Sequence, residues 1–267
     1  MENNQNMQHE ELTRMVEPEV VKMSAVQRII SIFAAPGELM RNIKVYPVIL
    51  VPFLVSVVIG LIAIIPTLPA TEMVNQELSH ISIERYGVDL LDFTAADEYG
   101  DLELGATMDA IQLVSLVAMA FVLPLLVSFI GTLIIFILSK ILRGKATFGR
   151  LFSMCMHIYV ISAVGSVVVA VLMVLTGSIV DVTSLAAIVM PQGRLDMVSY
   201  NALAAIALFP IWAAILEFIG VKILNEFSNV KAGIVIAIGF AIYVAIHVVL
   251  AMLTWWTFDL MIGMGAI

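Results

Sequence analysis

Three ionisable side chains stand inside otherwise apolar runs: Glu217, His157 and His247. A carboxylate or an imidazole at membrane depth can share a proton, hold an ion or pass either one on. It is costly there unless it is paired or neutral. Glu217 lies about one helical turn from the lysine-bearing end of its run, and His157 about two turns from the basic end of its own. Two readings stay open for this pair: a structural Glu217–His157 contact or partial hydration, and a proton or ion relay. His247 is the deepest of the three and fits a buried hydrogen-bonding group. The chain contains no His-Glu-x-x-His, Gly-x-Ser-x-Gly or Gly-x-x-x-x-Gly-Lys, so the expectation is no catalytic residue, no cofactor and no metal site, and not an enzyme. The acids of Asp97-Glu-Tyr-Gly-Asp101-Leu-Glu103 lack the spacing of a calcium-binding loop. They read as a solvated loop, with a weak divalent-cation or basic-partner surface as the alternative.

The elements that position these groups follow from composition. The chain is 61% hydrophobic and 13% charged, with a mean hydropathy of +1.06, whereas soluble domains carry about 25% charged residues. An integral membrane protein of one domain is expected, all-α, as a polytopic bundle of five transmembrane helices. The runs fall at about 46–66, within 111–139 (interrupted by Pro124), at 151–176, at 202–221 (with Pro210 near the centre) and at 232–256. Each reaches or exceeds the roughly 20 residues that cross a bilayer core. The lone Cys155 excludes an intrachain disulfide framework, and the polar start, Met1 to Glu19, is not a secretory signal.

Lys140, Arg143, Lys145 and Arg150 crowd one short loop between the second and third runs, and basic loops mark the cytoplasmic side. With that loop inside, the N-terminus is cytoplasmic and the C-terminus lies on the outer face. Eleven of the thirteen Lys and Arg residues are then inside, leaving only Arg85 and Arg194 outside. Residues 1–45 read as a cytoplasmic tail carrying a short amphipathic helix, with Val26, Ile29, Ile30 and Phe33 at helical spacing and Pro36 ending it. That helix either lies in the headgroup plane or packs on the bundle. Residues 46–267 read as the membrane domain. Its acidic external loop, 67–109, holds ten acids against Arg85 and accounts for the whole net charge of −8; short helices are expected in it, for example near Glu72 to Tyr86.

Small residues recur every four positions in three spans: Gly233, Ala237, Ala241 and Ala245 in the fifth, Ser162, Ser166 and Ala170 in the third, and Ala120, Pro124, Ser128 and Thr132 in the second. Such stripes let helix backbones approach one another in lipid. Packing inside the bundle is the first expectation for them, and a homo-oligomer face the second.

Several local patterns are similar to those of the Yip1-domain family, bacterial members included. They are Phe33-x-x-Pro36-x-Glu38 ahead of the first span, Gly144-Lys-Ala-Thr-Phe148 at the mouth of the third, and Trp212, Gly220 and Ser228-x-x-Lys231-Ala232 around the link between the fourth and fifth. The 67–109 loop is longer than the resemblance implies. Family likeness implies a non-enzymatic membrane protein with a cytosolic N-terminal region, five closely spaced spans and a short C-terminus on the far side. Eukaryotic relatives engage prenylated Rab GTPases in early secretory membranes, and some bacterial relatives are linked to ABC-type export systems. The implied partners are therefore the lipid bilayer and another membrane protein such as an export-system subunit, or a GTPase in a eukaryotic host, with no nucleic acid. The implied role is an adaptor or accessory subunit in the bacterial cytoplasmic membrane. A small transporter or channel using the Pro-interrupted spans is the alternative.

Overall fold

A computed structural model describes residues 20–87, 103–191 and 195–263. The helices are Ala25–Ala34 (α1), Pro36–Val45 (α2), Leu50–Tyr86 (α3), Glu103–Ile141 (α4), Phe148–Thr176 (α5), Leu185–Val189 (α6), Val198–Ala204 (α7), Leu208–Asn225 (α8) and Asn229–Gly263 (α9). Five of them, α3, α4, α5, α8 and α9, are long and apolar enough to cross a membrane. The chain is thus an all-α, five-span, multi-pass membrane protein.

The lead-in to the first span forms two helices. Ser24 and Gln27 make a reciprocal capping box that starts α1, with the Gln27 amide donating to Ser24 Oγ (3.3 Å) and the Ser24 amide to Gln27 Oε1 (2.8 Å). Pro36 stops α1 and opens α2, where a missing N–H costs nothing. On α1, Ile32 faces inward while Val26 and Ile30 stay exposed. On α2, Leu39, Met40 and Ile43 are fully buried in the core, on a helix that packs on α8 and α5. Against water such burial is worth roughly 1.5–3 kcal/mol per side chain, enough to fix a ten-residue helix that could not stand alone. Helix α2 was not anticipated, because Gly37, Arg41, Asn42 and Lys44 dilute its apolar face.

Two span boundaries differ from the sequence reading. The first span does not stop at Pro66. Helix α3 runs through Pro66 and Pro69 to Tyr86 and closes on Gly87 at φ +76°. Prolines remove two backbone donors, and helices in membrane bundles tolerate that loss. Residues 67–86 and 103–109 of the expected acidic loop are therefore helical, the first as the expected Glu72–Tyr86 helix fused to its span; residues 88–102, Asp97 and Asp101 among them, lie outside the described residues. The fourth span begins at Leu208, which puts Pro210 in its first turn and not near its centre. The cause is an extended residue at Ala207. Around it, the Leu208 amide donates to Thr183 O (3.2 Å) and the Leu185 amide to Ile206 O (2.9 Å), tying the chain to the segment before α6. At 1.5 Å per residue the 18 residues of α8 span about 27 Å, against about 55 Å for the 37 of α3.

Helix α5 sits at the centre, packed against α3, α4, α8 and the α1–α2 lead-in, and α9 is the least buried span. On α4 the expected stripe is the seam: Ala120, Pro124, Ser128 and Thr132 are buried, and Ile135 and Ser139 extend it. In α9 the expectation of packing within the bundle fails for three of four residues. Gly233 faces Phe218, but Ala237, Ala241 and Ala245 are exposed, and the contact is carried by Ala232, Val235 and Trp255. A four-residue step turns about 40° beyond one full turn, so three steps carry the stripe about 120° around the helix. In α5 the buried small residues are Ala163, Gly165 and Ala170, with Ser162 and Ser166 exposed beside them. A Cβ on Gly165 would lie 2.5 Å from Phe209 Cγ, so α5 and α8 meet there through the missing side chain.

Candidate functional site

The most elaborate side-chain network lies at the basic end, where two inter-span turns meet. Helix α4 ends at Ile141, and Arg143 (φ +64°) reverses the chain so that the Gly144 amide reaches Ser139 O at 2.7 Å. The buried Ala146 amide then donates to Asn225 Oδ1 at 3.1 Å. Asn225 Nδ2 donates to Ser139 Oγ (3.3 Å) and Val221 O (3.2 Å), so one amide side chain joins the α4–α5 loop to the last turn of α8. A Cβ on Gly144 would overlap Asn225 Oδ1 and lie 2.9 Å from Phe227 Cζ. Only glycine permits that approach. Phe148 anchors the other side of the loop, edge-on to Phe129 and Phe136, each at 5.7 Å between centroids.

Glu226 completes the junction. It caps α8 in the left-handed region (φ +56°), where a residue with a Cβ is disfavoured. Its two carboxylate oxygens accept from Lys44 Nζ of α2 (2.7 Å) and Lys145 Nζ of the loop (2.6 Å). These hydrogen bonds, Lys145 first and then Lys44, together with the lysine charges, hold the Glu226 carboxyl well below the ordinary carboxylate range, at about 2. Lys231 Nζ donates to Leu142 O (3.4 Å) and Lys140 Nζ to Gly144 O (3.2 Å). Of the four loop cations, Lys140, Arg143 and Lys145 are exposed and Arg150 is half-buried.

The intramembrane candidates are not brought together in one cluster. His157 is fully buried, and its Nδ1 lies 2.7 Å from Ser153 O. A carbonyl only accepts, so that nitrogen carries the proton and Nε2 is left as an acceptor, buried without a partner. His157 lies on α5, which packs on α1, the helix that carries Arg28. Arg28 is itself buried and donates through Nη2 to Asn42 Oδ1 at 2.6 Å. Glu217 is half-buried on α8, and Cys155 is buried on α5, the helix that α8 packs against. No Glu217–His157 hydrogen bond or ion pair occurs among the described residues. His247 is half-buried on α9, with its ring 6.3 Å from that of Tyr243.

At the acidic end, Asp259 of α9 accepts from Tyr86 Oη (2.7 Å) and pairs with Arg85 of α3 (3.3 Å). Trp255 Nε1 donates to Leu195 O at 3.3 Å. Helices α6 and α7 close over a small cluster formed by Val180, Ala186 and Tyr200. Sequence reasoning passed over Asn42, Asn225 and Glu226. Each is a hydrogen-bonding side chain in or just past the last turn of a helix, and an amide or acid there beside a turn was the available signal.

These contacts give physical roles to several scattered sequence patterns. Phe33 sits edge-on to Trp212 at 5.7 Å. Gly220 makes room for the sulfurs of Met154 and Met40, and Ser228 Oγ accepts from the Lys231 amide. No curated protein and no solved structure matches the chain. The family profile of the Yip1 domain matches residues 30–253, which takes in α3, α4, α5 and α8, most of α9 and the helical lead-in, and the chain belongs to the Yip1-domain family.

Proposed function

We propose that the protein is a non-enzymatic adaptor or accessory subunit of the bacterial cytoplasmic membrane, serving export, trafficking or envelope organisation. The observation that carries this reading is the basic-end junction. Asn225 and Glu226 clamp the 140–150 loop against α2 and α8, so Lys140, Arg143 and Lys145 are presented on a fixed surface. A preorganised surface loses little entropy when a partner docks. Family membership supports a membrane partner, such as an export-system subunit, or a GTPase in a eukaryotic host. The basic end faces the cytoplasm in this reading, with the N-terminus inside and the C-terminus outside. Glu217, His157 and His247 then serve as structural polar groups, and Ala237, Ala241 and Ala245 remain available to a homo-oligomer face.

Two measurements test this. A cysteine at Asp97 is labelled from outside intact cells and one at Lys145 is spared; the reverse result overturns the orientation. Charge reversal at Arg143, which leaves the Lys145–Glu226 and Lys140–Gly144 contacts in place, sharply weakens stoichiometric co-purification with the export subunit or GTPase while melting stays as in the wild type. Solute uptake into liposomes by the purified protein alone, lost in Glu217→Gln, would favour the transporter instead.

A further inference from the structure

Helices α1 and α2 fold back on each other. Arg28 of α1 and Asn42 of α2, bonded at 2.6 Å, stand seven residues before and seven residues after Ala35. A bond at equal distances from the turn makes the pair an antiparallel hairpin with its tip at Ala35–Pro36. The open end is tied as well, where Asn42 Nδ2 donates to Val21 O at 2.7 Å.

The hairpin stands along α8, not across its end. Lys44 is bonded to Glu226, just past the last residue of α8. A Cβ on Gly220 would lie 3.1 Å from Met40 Sδ, and Phe33, beside the tip, is edge-on to Trp212. Along the axis of α8, Gly220 is about 8 Å and Trp212 about 20 Å from Asn225. The tip therefore points away from the basic end, toward the middle of the bundle. Helix α8 measures about 27 Å, less than the roughly 30 Å acyl layer that a span crosses. An element alongside it is at membrane depth.

The hairpin suits that depth. Val26, Ile30 and Phe33 are 68%, 57% and 45% exposed and follow one another along α1. Arg28, the one charge between Lys22 and the tip, is turned inward and buried. The stripe meets the outer surface of a span, since Trp212 is flanked on α8 by the exposed Ile211 and Ile215. In lipid, backbone polar groups need internal partners. At the tip, the Ala35 amide donates to Ser31 O, Ala35 O accepts from the Glu38 and Leu39 amides, each at 3.1 Å, and Pro36 carries no donor. The charges exposed on α2, Glu38 and Arg41, are opposite in sign and three residues apart, a spacing at which helix side chains pair.

We propose that α1–α2 is a re-entrant hairpin, inserted tip-first into the leaflet at the basic end, and that acyl chains cover the outward face of α1. A helix lying flat in the headgroup plane holds Val26, Ile30 and Phe33 at one depth. The hairpin sets Ile30 about 6 Å and Phe33 about 10 Å deeper than Val26. The test places single spin labels at Lys22, Val26, Ile30, Phe33 and Val45 of the full-length protein, in a Cys155→Ala background, in phosphatidylcholine nanodiscs. Collisions with oxygen, which concentrates in acyl chains, are compared with those of a water-soluble nickel chelate. The oxygen-to-nickel ratio should rise several-fold from Lys22 through Val26 and Ile30 to Phe33, and fall again at Val45. Ala34, also exposed, replaces Phe33 if that variant does not fold. Equal ratios at Val26, Ile30 and Phe33 would mean a flat helix, and a ratio as low as that of Lys22 at all three would mean water. Few collisions with either reagent would mean a protein surface over the face. Each of these three results overturns the proposal.

Discussion

The two ends of this bundle are held together by different means. At the basic end the main hydrophobic cluster, from Ile32 and Met40 through Met154 and Ile158 to Leu224 and Val235, runs up to two tight turns that are bonded to each other. At the acidic end the core reduces to the small cluster under α6 and α7, and α3 meets α9 through the exposed Arg85–Asp259 pair. Helix α8, at about 27 Å, falls slightly short of the roughly 30 Å hydrocarbon layer, whereas α3 is long enough to pass well beyond it. The contrast shows that the cations marking the topology are also structural parts. Lys44 and Lys145 are engaged by Glu226, and Lys231 and Lys140 by backbone carbonyls.

If the basic end is the stabilising one, its closest approach should be its most sensitive point. Gly144→Val should give the largest loss of stability. Overpacking costs roughly 1–3 kcal/mol, and displacing Asn225 also strips the buried Ala146 amide of its acceptor, at about 1–3 kcal/mol more. Gly149→Ala, five residues on and with nothing within 4 Å of the added carbon, should melt like the wild type. Equal melting of the Gly144 and Gly149 variants would dissolve the distinction between the ends. Asn225→Ala should rank second, losing about 1–3 kcal/mol because Ala146 N–H is orphaned while no overlap is introduced. Asn225→Asp, which keeps that acceptor but not the donor to Ser139, should fall between Asn225→Ala and the wild type.

What the sequence disclosed follows the same division. Spans are legible because about 20 apolar residues in a row have few alternatives, and the basic loop is legible because charge is local. The α4 seam was readable as well, since its small and polar residues keep to one face over the length that packs. Three things were not readable. Helix α2 depends on Leu39, Met40 and Ile43 finding α8 and α5, a long-range fact. The start of α8 is set by backbone bonds to Thr183 and Leu185, not by Pro210. The α9 stripe has the spacing of a contact, and spacing alone does not say whether another helix lies opposite. Of the candidate site, Lys140, Arg143, Lys145 and Arg150 were legible as a group, while their partner Glu226 was hidden in what read as a mere turn.

The acidic end should respond much less. Asp259→Asn removes the charge that pairs with Arg85 but leaves an acceptor for Tyr86 Oη. The pair is exposed, with side chains 40% and 48% accessible, and exposed pairs contribute about 0–1 kcal/mol. Melting should shift by no more than that, and the shift should shrink further in high salt. A loss as large as that of Asn225→Ala would place a second stabilising centre at the acidic end.

The smallest effect, and the one most specific to the basic end, should appear only in acid. Glu226 has its folded pKa depressed from the ordinary 4.5 to about 2 by Lys145 and Lys44. A depressed carboxylate contributes stability that is fully present above the unfolded value, and this contribution is lost as pH falls from about 4.5 toward 2. Because Glu226 and both lysines face water, the contribution is screened and should be modest at neutral pH. Other carboxylates titrate in the same range, so the measurement is a difference: melting of the wild type minus that of Glu226→Gln, from pH 6 down to pH 3, in low salt. The wild type should start ahead and its lead should shrink steadily below about pH 4.5. Gln keeps one acceptor oxygen and replaces the other by an amide group that only donates, so it loses one lysine contact at every pH, and the pH-dependent closing of the gap is what reports the charge. Two curves that stay parallel through the acid range would show that Glu226 holds Lys44 and Lys145 by geometry alone, and that the clamp at the basic end does not depend on its charge.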